Sequence, residues 1–246
     1  MKNINTKAIA LIMLLLCVPI SSAVAKGSSS YSLSISVGQY DVKNKDDDAA
    51  SLSTLSDVKF GLITLTSPDY SGYGADEQDF LDLRSGKSIF FGLNLLGFES
   101  PIGSKRRASL KAALSLMCYN YTFLDDITIV YQDRRITPMA LDADYKKSKL
   151  TTLYLTIPVS LSLKVAKHLS LEPGIYAGAL IKSHTKYKRP KVKSDYLGGL
   201  NDFVAGVSFG ITNQRGIGIY CDYNLTDLFA EGRGPQTNAI TFGLKF

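Results

Sequence analysis

Residues able to do acid–base or nucleophilic chemistry are few in this chain, and their spacing works against most uses of them. Histidine occurs twice, as His168 and His184. Ser183 and His184 place a hydroxyl beside an imidazole, the pair that a lipid hydrolase would need. Adjacent residues of an extended strand point to opposite faces, however. Nucleophilic catalysis also needs a base aimed at the hydroxyl and donors for the oxyanion, which adjacency does not supply. Neither histidine has a second ligand at metal-binding spacing, so no metal site is expected. His168 reads as a solvated turn residue, and no motif calls for a cofactor. The expectation is a chain that is not an enzyme.

The polar residues that do recur regularly are of another kind. Lys111, Tyr154, Lys164, Glu172, Tyr176, Tyr220, Asp222 and Lys245 each fall on the polar side of an alternating segment. Segment 151–165 shows the pattern most fully. Leu153, Leu155, Ile157, Val159, Leu161, Leu163 and Val165 lie on one side of an extended strand, with Thr152, Tyr154, Thr156, Pro158, Ser160, Ser162 and Lys164 on the other. That run is long for a soluble strand, which averages about 5 or 6 residues, and suits a transmembrane β-strand of roughly 9 to 11.

Seven further segments alternate in the same way: 58–66, 88–96, 108–119, 169–182, 202–212, 217–225 and the terminal 239–246. Eight strands form an even set, and a membrane sheet must close on itself so that every backbone group is paired. The expected fold is all-β, an eight-stranded antiparallel transmembrane β-barrel of the outer-membrane type. Side chains nearly fill the interior of so small a barrel. Charges inside it must pair or meet water, so the eight inward polar residues are expected to form a lumenal ion-pair and tyrosine network that closes the barrel. A narrow conduction path or ligand site is the sharper alternative. Cys118 and Cys221, the only cysteines beyond Cys17, fall on the apolar faces of the third and seventh strands. They stand four strands apart around the barrel, which exceeds disulfide reach, so both are expected to be free, buried thiols.

Connections set the orientation. Those after the first, third and fifth strands are long (67–86, 124–148 and 183–199), whereas those at 166–168 and 213–216 are short. Long external loops alternating with short periplasmic turns are the habit of outer-membrane barrels. The first loop is acidic, with Asp69, Asp76, Glu77, Asp79 and Asp82 against Arg84. Another is basic, with Lys186, Lys188, Arg189, Lys191 and Lys193 against Asp195. These loops are expected to pair with one another or with anionic lipopolysaccharide, or to dock an envelope protein or a glycan. The chain ends on Phe246, in phase with the apolar face, as barrels read by the barrel-assembly machinery commonly do.

Residues 1–25 have the form of a signal peptide: Lys2 and Lys7, an apolar run over 8–20, and the small-x-small site Ala23-Val24-Ala25. Leu16 before Cys17 is too large for the usual lipoprotein site. Cleavage removes two lysines and no acids, taking the net charge from +6 to +4. An exported chain of that modest charge is not expected to bind nucleic acid. Residues 26–56 read as a periplasmic extension, with one short strand over 31–37 and a charged linker over 43–50, and residues 57–246 as the barrel.

FLDLRSGKSI (80–89), YNYTF (119–123), KKSKLTTLYLTIPVSLSL (146–163), LEPGIYAGALIKS (171–183) and the closing DYNLTDLFAEGRGPQTNAITFGLKF resemble the PorT-like outer-membrane β-barrel domain of the Bacteroidota. The resemblance spans about 57–246. It implies an eight-stranded barrel integral to the bacterial outer membrane. One branch of that family is linked to protein secretion, most members have no assigned activity, and no functional residues carry over. The expected role is non-enzymatic, structural or in surface interaction through the external loops. A component of an export machine, a narrow porin and a lipid hydrolase follow in that order.

Overall fold

The computed structural model describes residues 40–41, 51–74, 77–103, 107–141, 147–188, 192–194, 197–213 and 215–246. The segment 1–25 and the short strand expected over 31–37 lie outside them. Among the described residues the regular structure is β: β1 (Tyr40–Asp41), β2 (Ser51–Thr54), β3 (Val58–Leu65), β4 (Ile89–Ile102), β5 (Ala108–Thr122), β6 (Ile127–Gln132), β7 (Arg135–Ala140), β8 (Lys147–Ala166), β9 (Leu169–Lys188), β10 (Val192–Ser194), β11 (Phe203–Thr212), β12 (Gly218–Asn224) and β13 (Ala239–Lys245). Eight of these close into one antiparallel ring, β3-β4-β5-β8-β9-β11-β12-β13 and back to β3. Each of the eight expected strands is one member of that ring.

Closure between first and last strands is direct. Lys245 pairs with Lys59, and Val58 and Phe246 exchange both backbone hydrogen bonds at 2.9 Å. This seam leaves no free edge there. Ser51–Thr54, within the segment read as an extension, pairs with Leu96–Glu99 and continues the line of β3 below the seam. Leu55, with φ of 52°, makes the kink between β2 and β3.

Alternation sorts the side chains. On β5 the odd residues Ala113, Ser115, Met117, Tyr119 and Tyr121 point inward and are buried. The even ones face out, and Cys118 is among them. Cys118 and Cys221 are free thiols, but not buried ones as expected: Cys118 is half-buried and Cys221 exposed, since both sit on the outward face of the ring. Large apolar residues cover the outside of the ring, including Ile175 at 62% and Ile219 at 56% exposure, with Phe60, Phe91, Phe209, Phe242 and Leu244.

Two bulges within the strands reset this phase, and a third slip, between Lys164 and Ala166, lies at the β8–β9 turn. Between Asn94 and Leu96 the β4–β5 register slips by one residue, so Gly97 takes the inward position that unbroken alternation gives to Leu96. Between Lys182 and Leu180 the β8–β9 register slips again. Past it, Ser183 and Thr185 are buried while Lys182 is exposed. Unbroken alternation over 169–182 puts Lys182 inside; the bulge at Ile181 turns it out, because a single extra residue inverts every later side chain.

The connection over 123–146 contains a hairpin of its own. β6 and β7 form a two-stranded sheet, joined by Asp133 and Arg134, both at positive φ (50° and 64°). A two-residue turn with both φ positive matches the strand twist. Ile129 and Ile136 of this hairpin are fully buried in a cluster with Phe80, Leu81, Leu197, Leu228 and Phe229 from the other long loops. The loops therefore fold over the long-loop end of the ring as an apolar lid, tied by Ile136 N to Arg233 O at 2.7 Å and Tyr73 Oη to Ile136 O at 2.8 Å.

Candidate functional site

The lumen is divided into layers. At the short-turn end lies a cavity of about 880 Å³, lined by residues from all eight ring strands, Lys245 of β13 among them. Glu172, only 4% exposed, receives Lys111 Nζ on Oε1 at 2.7 Å and Lys245 Nζ on Oε2 at 2.5 Å. Lys245 also lies 3.8 Å from Asp57, whose Oδ2 accepts from Asn94 Nδ2 at 3.0 Å. One carboxylate thus joins β5, β9 and β13 across the lumen.

A second knot stands beside it. Lys59 Nζ contacts both oxygens of Asp222 at 2.9 and 2.8 Å, and Ser208 Oγ donates to Asp222 Oδ1 at 2.6 Å. Asp222 is 1% exposed, so this is a charge held inside by a partner and a hydroxyl, as a buried carboxylate requires. Lys59 Nζ also lies 4.7 Å from the centre of the Tyr220 ring. Ser208 is 3.3 Å from Lys59 Nζ. A serine–lysine nucleophile needs a neutral amine to take the hydroxyl proton. Here Lys59 Nζ is clasped by a carboxylate, and Ser208 gives its proton to that same carboxylate.

Above the charges comes an aromatic layer. Phe90, Tyr119, Tyr121, Tyr154, Tyr176 and Tyr220 are all buried. Phe90 meets Tyr119 edge-on at 4.9 Å, Tyr119 stacks on Tyr121 at 6.0 Å, and Tyr154 closes on Tyr119 at 5.8 Å. Asn224 Oδ1 accepts from Tyr176 Oη at 2.6 Å and Tyr119 Oη at 3.2 Å. Two glycines make the layer fit. A Cβ on Gly206 would overlap the Tyr176 hydroxyl, and one on Gly61 would come within 2.5 Å of the Tyr220 hydroxyl.

Seven of the eight inward residues expected from alternation enter these two layers: Lys111, Glu172, Asp222 and Lys245 in the ion pairs, Tyr154, Tyr176 and Tyr220 in the aromatic layer. Lys164 lines the rim of the cavity, is exposed, and takes part in neither ion-pair knot. Asp57, Lys59, Asn94, Tyr119, Tyr121 and Asn224 belong to the network as well. Lys59, Tyr119 and Asn224 carry the inward parity that would have found them; Asp57 precedes its strand and has no parity to read.

Ser183 and His184 stand on opposite faces. Ser183 Oγ is buried and exchanges hydrogen bonds with Leu197 (3.3 Å from Leu197 N, 3.4 Å to Leu197 O). Of the basic loop, Lys186 and Lys193 lie opposite each other across β9 and β10, and Lys188 ends β9 opposite Lys147. Arg189 and Lys191 lie outside the described residues. From the acidic loop, Arg84 reaches over to the neighbouring loop, 3.6 Å from Asp126, with Nε donating to Leu124 O at 3.0 Å. Burial pushes the Tyr70 hydroxyl of that loop up to about 12 while it accepts from Leu81 N at 3.0 Å. Among the described residues no group of three histidines, cysteines or carboxylates is placed to hold a metal ion. No protein-family profile, no curated protein and no solved structure matches the chain.

Proposed function

We propose that the chain is an integral outer-membrane β-barrel with a sealed lumen, acting as a non-enzymatic structural or surface-interaction protein. The observation that carries this reading is the outer wall. On β8 the outward residues run without interruption from Leu153 to Val165. At ~3.3 Å per residue that is roughly 40 Å of strand, and at a tilt of about 45° roughly 28 Å of height, the thickness of a hydrocarbon core. In water, an apolar face of that height on β8, continued by exposed Phe60, Ile175, Ile219 and Phe242 on other ring strands, would be an aggregation surface. Long loops at one end and short turns with both barrel termini at the other match a chain inserted from the periplasm. The likeness to the PorT-like domain supports the same location and adds no activity.

The layers argue against conduction. Paired charges, a tyrosine layer and an apolar lid stand in series along the axis. The test is a planar bilayer carrying the refolded full chain, with insertion verified by protection from protease. No steady current steps are expected. Reproducible single-channel openings would replace this reading with a narrow porin.

A further inference from the structure

The cavity at the short-turn end is space that small side chains leave open. Side chains nearly fill the interior of an eight-stranded barrel, yet here about 880 Å³ remains. The inward positions that leave this room include Gly92 on β4, Ser160 on β8, Gly174 on β9, and Ser208 and Gly210 on β11. A Cβ on Gly210 would meet nothing closer than 3.6 Å, so packing does not impose that glycine. At the mouth, the wall of β8, β9 and β11 ends in one cross-strand row, with Lys164 opposite Ser170 and Ser170 opposite Thr212. Arg215, in the turn that follows β11, lines the same mouth. Neighbours in such a row stand roughly 5 Å apart, close enough for the oxygens of one anion to reach two of them.

This mouth differs from the ion-pair knots behind it. Lys59 is held by Asp222, and Lys111 and Lys245 are held by Glu172. Lys164 and Arg215 are exposed, and among the described residues neither forms an ion pair. Ser162, Ser170 and Thr212 are buried, and among the described residues none of their hydroxyls has a hydrogen-bond partner. Buried hydroxyls left unpaired are costly, so an acceptor that enters the mouth is favoured. An oxyanion answers both needs, because its hydrogen bonds from ammonium, guanidinium and hydroxyl are charge-assisted. Behind the row, the same wall presents Ser160 and Ser162 beside Gly174. An apolar body there would strand those hydroxyls, whereas a polyhydroxylated one pairs with them. We infer that the cavity binds a sugar phosphate entering from the short-turn end. Its phosphate lies on Lys164, Arg215, Ser170 and Thr212, and its ring lies against Ser160 and Ser162. The aromatic layer closes the cavity above, so the ligand is held and not passed on. The site stands on the cavity alone; only a periplasmic origin for its ligand rests on the membrane reading.

The experiment is isothermal titration calorimetry on the refolded full chain in detergent micelles, checked for the heat-dependent gel shift of a folded barrel. The probes are glucose 6-phosphate, glucose and inorganic phosphate. Wild type is expected to bind glucose 6-phosphate about tenfold more tightly than inorganic phosphate, with glucose weaker still. Lys164→Gln/Arg215→Gln, two changes outside the core, should weaken glucose 6-phosphate about tenfold. Ser170→Ala/Thr212→Val keeps both charges and should weaken it about fivefold. Glucose bound as tightly as glucose 6-phosphate would overturn the phosphate row. Inorganic phosphate bound as tightly would overturn the sugar body. Unchanged affinity in the charge variant, or no binding of any probe by a barrel that keeps its gel shift, would overturn the site and leave the barrel reading intact. A wild-type chain without the gel shift would instead remove the barrel, and the cavity with it.

Discussion

Glu172→Gln keeps the size of the side chain and removes its charge, leaving Lys111 and Lys245 facing a neutral amide where each held one carboxylate oxygen. Two ammoniums on the two oxygens of one carboxylate stand about 5 Å apart, and at an effective dielectric near 20 their repulsion is about 3 kcal/mol. Lys245 keeps Asp57 at 3.8 Å, and water in the cavity reaches Lys111, so the expected loss is about 2 kcal/mol, below the range for a fully dry pair. Urea unfolding of the barrel in detergent micelles, followed by far-ultraviolet circular dichroism, reads it. Adding Lys245→Met removes one of the two stranded charges and should recover more than half of the loss. That second variant also keeps the test usable should the single variant not fold. A single variant within about 0.5 kcal/mol of wild type, the range of an ordinary surface change, would refute the claim that this carboxylate ties three strands together.

Other parts of the structure give further expectations. Gly206→Ala should cost about 1–3 kcal/mol in the same unfolding assay, since the added methyl overlaps the Tyr176 hydroxyl and the Tyr223 carbonyl. Cys118 and Cys221 should leave the chain mass unchanged on reduction, and in intact vesicles Cys221 should react with a lipid-soluble maleimide but not with a charged one. Tyr70 is favoured in its neutral form by burial, so its contribution to anchoring the first long loop is complete below pH 10 and is lost as pH rises toward about 12. Protease cleavage of that loop should therefore accelerate in this window for wild type, and Tyr70→Phe should flatten the dependence.

Alternation alone located all eight ring strands, because one apolar and one polar face per strand leave a period of two that no helix shares. It also placed Lys111, Glu172, Asp222 and Lys245 inside. Which of them pair could not be read, since pairing across the lumen depends on the stagger of strands far apart in the chain. The bulges at Leu95 and Ile181 were invisible for a related reason: a bulge is set by the partner strand, and neither position carries a distinctive residue. Lys182 was misplaced on that account. The β6–β7 hairpin left a fainter mark, a short alternating run on either side of Asp133-Arg134. Two residues without glycine are a weak turn signal, and the tertiary lid supplies the stability that the local sequence lacks. Of the lid core, Phe80, Leu197 and Phe229 sit in loops with no period to read.

Envelope membranes from cells making the full chain should be separated into inner and outer fractions, and each run on a denaturing gel with and without boiling. The expected result is a band confined to the outer-membrane fraction that migrates differently before and after boiling, as a closed barrel resists detergent until heated. Recovery of the chain in the soluble periplasm, with one unshifted band, would contradict it and reassign the apolar wall to an interface between protein chains.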